Sequence, residues 1–419
     1  MWFSNDDLRE TVAYRVKYFS PAWFSMVMAL AASSILLLDY PFQTYWLHII
    51  GMIYYIFSVA CLILFVFILI LRNALFRDLN PRIWIHPTQS LYWGTLPVAV
   101  ATIIAATAII WQHQRIWICY VLWWLNFVLA LVSAWGITFF SIVKHNRRID
   151  IQQLNATILL PVLILVVQAS AGAMVTKFLP TEWQAHMIII TALMWGNGEA
   201  IAFAFMVIYL WRLLTANLPA RSMVFSCFIP IGPMGQGAHY VLVQSINLEN
   251  YFIKSGQHPI LKTFPVFQYL GTFLGLAMLG FATFWLVMAV FSCLYLHPHA
   301  FSITWWSMPY PIYTYAVSLY QISVMFDSFG FRVWCAVFAT PVIISCLILT
   351  VVTIYQVISS DQIFRFAKEE LDFYLEDLTS HSSKENIRYT SDAPSALENA
   401  RIPFSEIMIG KPPDKLSFK

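Results

Sequence analysis

Charge is scarce in this 419-residue chain: Asp, Glu, Lys and Arg together make up 11% of it. Soluble domains carry about 25%, so an ordinary water-soluble enzyme is excluded. A disordered chain is excluded too, since disorder needs high charge and low hydrophobicity. Neither sign dominates. The 24 Lys and Arg against 21 Asp and Glu leave +3, too little to draw nucleic acid. Cysteine is also sparse. The six (Cys61, Cys119, Cys227, Cys293, Cys335, Cys346) all fall in apolar runs, with no CxxC pair and no Cys/His cluster. No disulfide framework and no metal site is implied. The chain has no GxxxxGK[ST] loop, because Gly410-Lys411 is followed by Pro412; ATP hydrolysis and a bound cofactor are not expected. No nucleophile with its base stands out. His297-Pro298-His299 is a loop pair without a third ligand, so the chain does not read as an enzyme.

What is present is apolar: 60% hydrophobic and 17% aromatic residues. A helix needs about 20 mostly apolar residues to cross the hydrocarbon core. Ten such runs are expected, at 22–38, 46–71, 91–111, 116–143, 154–176, 185–211, 222–246, 265–296, 301–325 and 333–358. The first is the shortest. Asp6, Asp7 and Glu10 sit where a secretory signal carries basic residues, and no small-residue cleavage site precedes Pro21. Residues 4–19 read instead as an interfacial helix, capped by Ser4, with Leu8, Val12 and Val16 on one face. Loop charges then orient the bundle. With the N-terminus inside, eleven basic residues (Arg9, Arg15, Lys17, Arg72, Arg77, Arg82, Lys144, Arg147, Arg148, Arg212, Arg221) are cytosolic. Five (Arg115, Lys177, Lys254, Lys262, Arg332) lie outside. Both termini are therefore expected in the cytosol of a multi-pass plasma-membrane protein.

Three regions follow: 1–20, an N-terminal interfacial helix; 21–358, the membrane domain; and 359–419, a cytosolic tail. The tail holds 8 basic and 11 acidic residues, a net of −3, which leaves +6 on the rest. Ile363, Phe364, Ala367, Leu371, Tyr374 and Leu378 recur at helical spacing over 361–378. From Thr379 on, the Ser, Thr, Asn and Pro content predicts disorder, with serines open to phosphorylation.

Prolines reveal a repeat. Internal prolines mark most odd runs: Pro97 in the third, Pro161 in the fifth, Pro230 and Pro233 in the seventh, Pro309 and Pro311 in the ninth. The first has Pro21 at its edge. The even runs have Pro341 in the tenth and Pro265 at the edge of the eighth. The odd runs recur at roughly 65–80 residues. The expected fold is an all-α membrane protein of ten transmembrane helices, arranged as five hairpins around a central pore. Kinked odd helices would form its inner ring. Small and polar residues cluster at the expected kinks and become candidates for the lining: Thr95, Pro97, Pro161, Gln168, Ser170, Gly172, Gly232, Pro233, Gly235, Gln236, Gly237, His239 and Pro311. Glycines that only let helices pack closely are the plainer reading. Glu199, mid-run in the sixth, is a titratable suspect by default, and His239 is a second. No Lys or Arg falls within an inner run, so an anion there would rely on helix ends and small dipoles.

The motifs carry a resemblance. Tyr92-Trp93-Gly94-Thr95-Leu96-Pro97, Tyr120-Val121-Leu122-Trp123-Trp124 with Ser133-Ala134-Trp135-Gly136, Gly232-Pro233-Met234-Gly235-Gln236-Gly237, and Trp305-Trp306 with Tyr310-Pro311 follow in order. In these the chain resembles the fungal sulfite efflux pumps. Their superfamily includes malic acid permeases, bacterial tellurite-resistance proteins and plant slow anion channels. The resemblance implies five hairpins around a pore, a possible trimer of identical subunits, and an aromatic gate, which falls on Tyr310 where the family usually has Phe. Three departures stand out. Met28-Ala29-Leu30-Ala31 replaces Met-Gly-x-Gly, Asn126 stands where an aspartate is usual, and Ala238-His239-Tyr240 follows GPMGQG.

The expected function is export of sulfite or bisulfite across the lipid bilayer. A negative interior favours exit of an anion by roughly 2.3 kcal/mol per charge per 100 mV, about 50-fold. A malate or other C4-dicarboxylate permease is the alternative. It would want paired basic residues for two carboxylates, and the inner runs have none. A receptor or embedded enzyme is the alternative of another class.

Overall fold

The computed structural model describes residues 5–77, 89–144, 154–256, 264–297, 301–360, 363, 364 and 368, all in helices, turns or connecting segments and with no strand among them. The described residues all fall within one compact unit. The expected tail helix beyond those three positions, the stretch from Thr379, and Pro298-His299 lie outside the described residues.

Each of the ten apolar runs is helical. The helices are α1 (Asn5–Lys17), α2 (Phe24–Leu38), α3 (Tyr45–Leu75), α4 (Thr95–Trp111), α5 (Ile116–Leu131), α6 (Ile137–Lys144), α7 (Leu160–Phe178), α8 (Thr181–Ala216), α9 (Ile231–Lys254), α10 (Val266–Leu296), α11 (Pro309–Met325) and α12 (Phe329–Ser359). A π turn at Val132–Gly136 joins α5 to α6. Eight spans are long and apolar enough to cross a membrane. The other two runs, α9 and α11, fall outside that group. α11 has 17 residues, and α9 carries Gly, Gln, His, Asn and Glu along its length.

The prolines do not kink helix interiors as expected. Among the described residues Pro341 of α12, an outer helix, stands inside a helix. The prolines of the inner runs stand at or just before helix starts. Each inner helix follows a short 3-10 turn: Pro21–Trp23 before α2, Leu91–Gly94 before α4, Ala156–Leu159 before α7, Arg221–Phe228 before α9 and Ile303–Ser307 before α11. Pro97, Pro161, Pro233, Pro309 and Pro311 then lie in the first turn of their helices. The physical reason is simple. The first N–H groups of a helix have no partner inside it, so a residue without an N–H loses nothing there.

Burial separates two layers. In the most apolar stretch of each span, 100% of α2, 72% of α4 and 94% of α7 is buried. The corresponding shares for α3, α5–α6, α8, α10 and α12 are 22, 33, 22, 39 and 28%. α9 and α11 are buried along most of their length. The inner helices touch in cyclic order: α2 against α4, α4 against α7, α7 against α9, α9 against α11, and α11 against α2. The 3-10 turns touch one another in the same cyclic order. The inner helices therefore all begin at one end of the ring. Each inner helix also packs on the outer helix that follows it in the chain.

A tight seam, closed by backbone, joins α9 to α11. A Cβ on Gly235 would fall 2.5 Å from Thr314 Oγ1, 2.8 Å from the Thr314 carbonyl carbon and 2.9 Å from Tyr315 N. Ser318 Oγ donates to Gly235 O at 2.7 Å across the same seam. At the ring's starting end, Phe19, Trp23, Phe65 and Phe364 form an aromatic cluster, with Trp23 and Phe364 stacked at 5.4 Å. The buried Arg72 donates to Phe19 O beside it.

Gly235→Ala should destabilise the fold by roughly 1–3 kcal/mol, since backbone rather than a flexible tip blocks the added methyl. Gly196, on α8, has nothing within 4 Å of its Cβ position. Gly196→Ala should be neutral or stabilise by about 0.5–1 kcal/mol. Thermal unfolding of the two variants in detergent checks the contrast; equal melting points would contradict the seam.

Candidate functional site

The ring brings together polar groups from four inner helices. Gln236 and His239 lie three residues apart on α9 and so share one face. Both reach Ser170 of α7. His239 Nδ1 is 2.9 Å from Ser170 Oγ, and Gln236 Nε2 donates to Ser170 Oγ at 2.8 Å. Gln236 Oε1 is out of solvent and has no hydrogen-bond partner. Elsewhere in the ring, Tyr310 in the first turn of α11 is fully buried, and its hydroxyl oxygen accepts from Thr102 of α4 at 3.3 Å. Thr102 also donates to Val98 O at 2.8 Å. The Tyr310 ring sits 5.4 Å from that of Tyr313.

Other expected lining residues have different surroundings. Thr95 Oγ1 donates to Tyr92 O and to Pro21 O, tying the start of α4 to the turn before α2. Pro97, Pro161, Pro233 and Pro311 stand at buried helix starts. Gly232 and Gly235 face the seams with α7 and α11. Gln168 and Gly172 turn outward. Gln168 Nε2 donates to Trp123 O at 2.8 Å, Trp123 Nε1 donates back to Gln168 O at 2.9 Å, and Asn126 Nδ2 donates to Gln168 Oε1 at 2.6 Å and to Pro97 O at 3.0 Å. A Cβ on Gly172 would fall 2.4 Å from Thr191 Cγ2 and 2.8 Å from Trp123 Nε1. These two residues clamp α7 to the outer helices. Gly237 also faces outward, toward Met278 and Glu199. Both carboxyl oxygens of Glu199 are out of solvent without a hydrogen-bond partner.

Thr102 and Tyr313 escaped the sequence reading. A signal existed for Thr102: it follows Pro97 by five residues and is one of three threonines in a mostly aliphatic helix. Periodicity alone does not say which face of a uniformly apolar helix turns inward.

The electrostatics of the ring are those of dipoles. Five helix N-termini meet at one end, each equivalent to about half a positive charge. Along the described inner helices, basic side chains occur only in the last turns, as Lys177 of α7 and Lys254 of α9. At the opposite end, Asp39 caps α2. Burial pushes its carboxyl from 3.8 to about 6, while the Lys177 ammonium pulls the other way.

Residues 18–354 match the family described as voltage-dependent anion channel. The chain belongs to that family. It is 28% identical over 347 residues to the sulfite efflux pump SSU1 of Arthroderma benhamiae, covering 81% of this chain and 91% of that protein. It is 25% identical over 372 residues to sulfite efflux pump SSU1 of Saccharomyces cerevisiae, covering 75% and 81%. A putative malic acid transport protein of Schizosaccharomyces pombe is 19% identical over 385 residues, covering 89% and 88%. The anion-channel family match spans all five inner helices of this chain.

Asp39 sets a pH dependence. Its carboxyl is raised on folding, so between about pH 4 and 6 the folded chain binds more protons than the unfolded one, and stability falls as pH rises. Asp39→Asn removes the penalty. At pH 7.5 the variant should be more stable than wild type, by about 1–2 kcal/mol after allowance for partial exposure, and the gap should shrink steadily as pH falls from about 6 to about 4.5. Melting curves across that range check the sign; a gap that widens on acidification contradicts it.

Proposed function

We propose that this chain is a transporter, not an enzyme, that exports sulfite or bisulfite across the plasma membrane. Ten transmembrane helices, as five hairpins around a central route, would carry the anion, with both termini in the cytosol and α1 lying along the inner interface. The tail from 359 would extend into the cytosol. The reading rests chiefly on one observation: sulfite efflux pumps of several fungi align with about four-fifths of the chain. The electrostatics agree with it. The parallel inner helices present their positive ends at the mouth where the cytosolic basic residues also gather, which concentrates anions there. The interior-negative potential then drives them outward.

Tyr310 acts as the gate in this reading. Its ring is buried among the inner helices beside Tyr313, so a small oxyanion would pass only when the ring moves. The phenol gives the gate a polar edge. Export of malate-like dicarboxylates is supported less. Two carboxylates call for a bidentate basic pair, and the described inner helices carry only Lys177 and Lys254, in their last turns.

Expression in Saccharomyces cerevisiae lacking its own sulfite efflux pump should restore growth on sulfite and efflux of labelled sulfite. Failure of protein that reaches the plasma membrane would overturn the assignment, and malate transport in the same cells would favour the dicarboxylate reading. Tyr310→Ala should raise sulfite flux severalfold, and unchanged flux would remove the gate from Tyr310.

A further inference from the structure

We propose that the ring carries the protonated monoanion, hydrogen sulfite, and rejects the sulfite dianion. Ser170, His239 and Gln236 select it by offering one hydrogen-bond donor and one acceptor. This rests on the reading of the chain as a sulfite exporter and specifies which species that site takes.

The first argument is a count of hydrogens. Ser170 sits between His239 Nδ1 and the Gln236 amide. With a neutral imidazole, and with the one Ser170 hydroxyl hydrogen donated to one of its two partners, the relay has two senses. In one, Ser170 donates to Nδ1 and accepts from Gln236 Nε2; the imidazole then carries its proton on Nε2, a free donor, and Gln236 Oε1 is a free acceptor. In the other, Nδ1–H donates to Ser170, which donates to the amide oxygen. Nε2 is then the free acceptor and the amide N–H the free donor. Either way the two ends of the relay are one donor and one acceptor. Gln236 is the visible end: the far atom of its amide is buried without a partner.

A ligand that satisfies both ends must itself both accept and donate. Hydrogen sulfite does so, with acceptor oxygens and one hydroxyl proton. The dianion only accepts. It would leave the acceptor end of the relay unpaired and facing negative oxygens, and a buried unpaired acceptor is costly.

The second argument is charge. Born cost grows as the square of charge, so a dianion costs about four times as much as a monoanion to place away from water. The described inner helices hold no basic side chain before their last turns. The ionisable groups lodged beside the ring are acids instead. A Cβ on Gly237 would fall 2.5 Å from Glu199 Oε2, and the buried Glu249 of α9 accepts from Gln268 N at 3.1 Å. The fixed cation within reach is Lys177, seven residues beyond Ser170 in the last turn of α7, and a single cation offsets one negative charge, not two. The other titratable side chains buried along the inner helices are the phenols Tyr240, Tyr310, Tyr313 and Tyr315, neutral near pH 7.

The full-length protein in voltage-clamped liposomes tests this with sodium sulfite as the probe. One elementary charge should cross per sulfur. Flux should stay constant when pH is varied at fixed hydrogen sulfite concentration. A ratio of two, or flux that follows the dianion, would overturn the proposal. Gln236→Leu and Ser170→Ala, which break the relay at its end and at its middle, should each raise the half-saturating hydrogen sulfite concentration roughly tenfold. Nitrate, a monoanion with no proton to donate, should lose less than hydrogen sulfite in each variant. Equal losses for both anions would remove the relay from selection. Nitrate flux with no sulfite flux at all in the wild type would overturn instead the sulfite reading beneath it.

Discussion

The closed contact among the five 3-10 turns is the constraint on which the molecule depends. It makes the inner helices start at one level and run the same way. Proline stabilises this arrangement because a helix start has no use for the missing N–H. Side chains of the ring reinforce it: Thr95 of α4 bonds the backbone of the turn before α2, and Thr304, in the turn before α11, bonds Ser222 O in the turn before α9. A common starting level brings five dipoles to one mouth. It also sets Ser170, ten residues into α7, against residues in the first turns of α9.

Polarity follows from the two layers. Outer helices spend their large apolar side chains on lipid: Phe67, Leu193, Phe273 and Ile354 are exposed. Inner helices have no such outlet and fill with small and hydroxyl residues that bond their own backbone or a neighbour's. Asn126 and Gln168 then lock the inner layer to the outer one through a network without formal charge. Neutral groups suit a route that must release its ion as readily as it admits it. A fixed cation in the ring would bind an anion strongly and hold it.

Much of the architecture was legible in the residues. The apolar runs marked helices to within a few positions, as at 116–143 against Ile116–Lys144 with its π turn, and the spacing of prolines marked which runs form the inner layer. The same prolines misled about shape. Pro97 and Pro161 look internal because the apolar run continues upstream through Leu91–Gly94 and Ala156–Leu159, but the backbone there is a 3-10 turn. Hydropathy does not distinguish the two kinds of helix, since both bury the same side chains.

Composition and order determined the membrane setting, the two-layer division, the scarcity of charge along the inner helices and the polar types available to it. Tertiary structure decided which of those polar residues meet. Gln168 and Ser170 are two residues apart, and a helix turns about 200° over that step. One therefore bonds Trp123 of an outer helix, while the other joins His239 and Gln236 in the ring. In a helix buried on all sides no apolar face distinguishes the two directions, so only the neighbours that pack against α7 settle which residue serves the clamp and which the site.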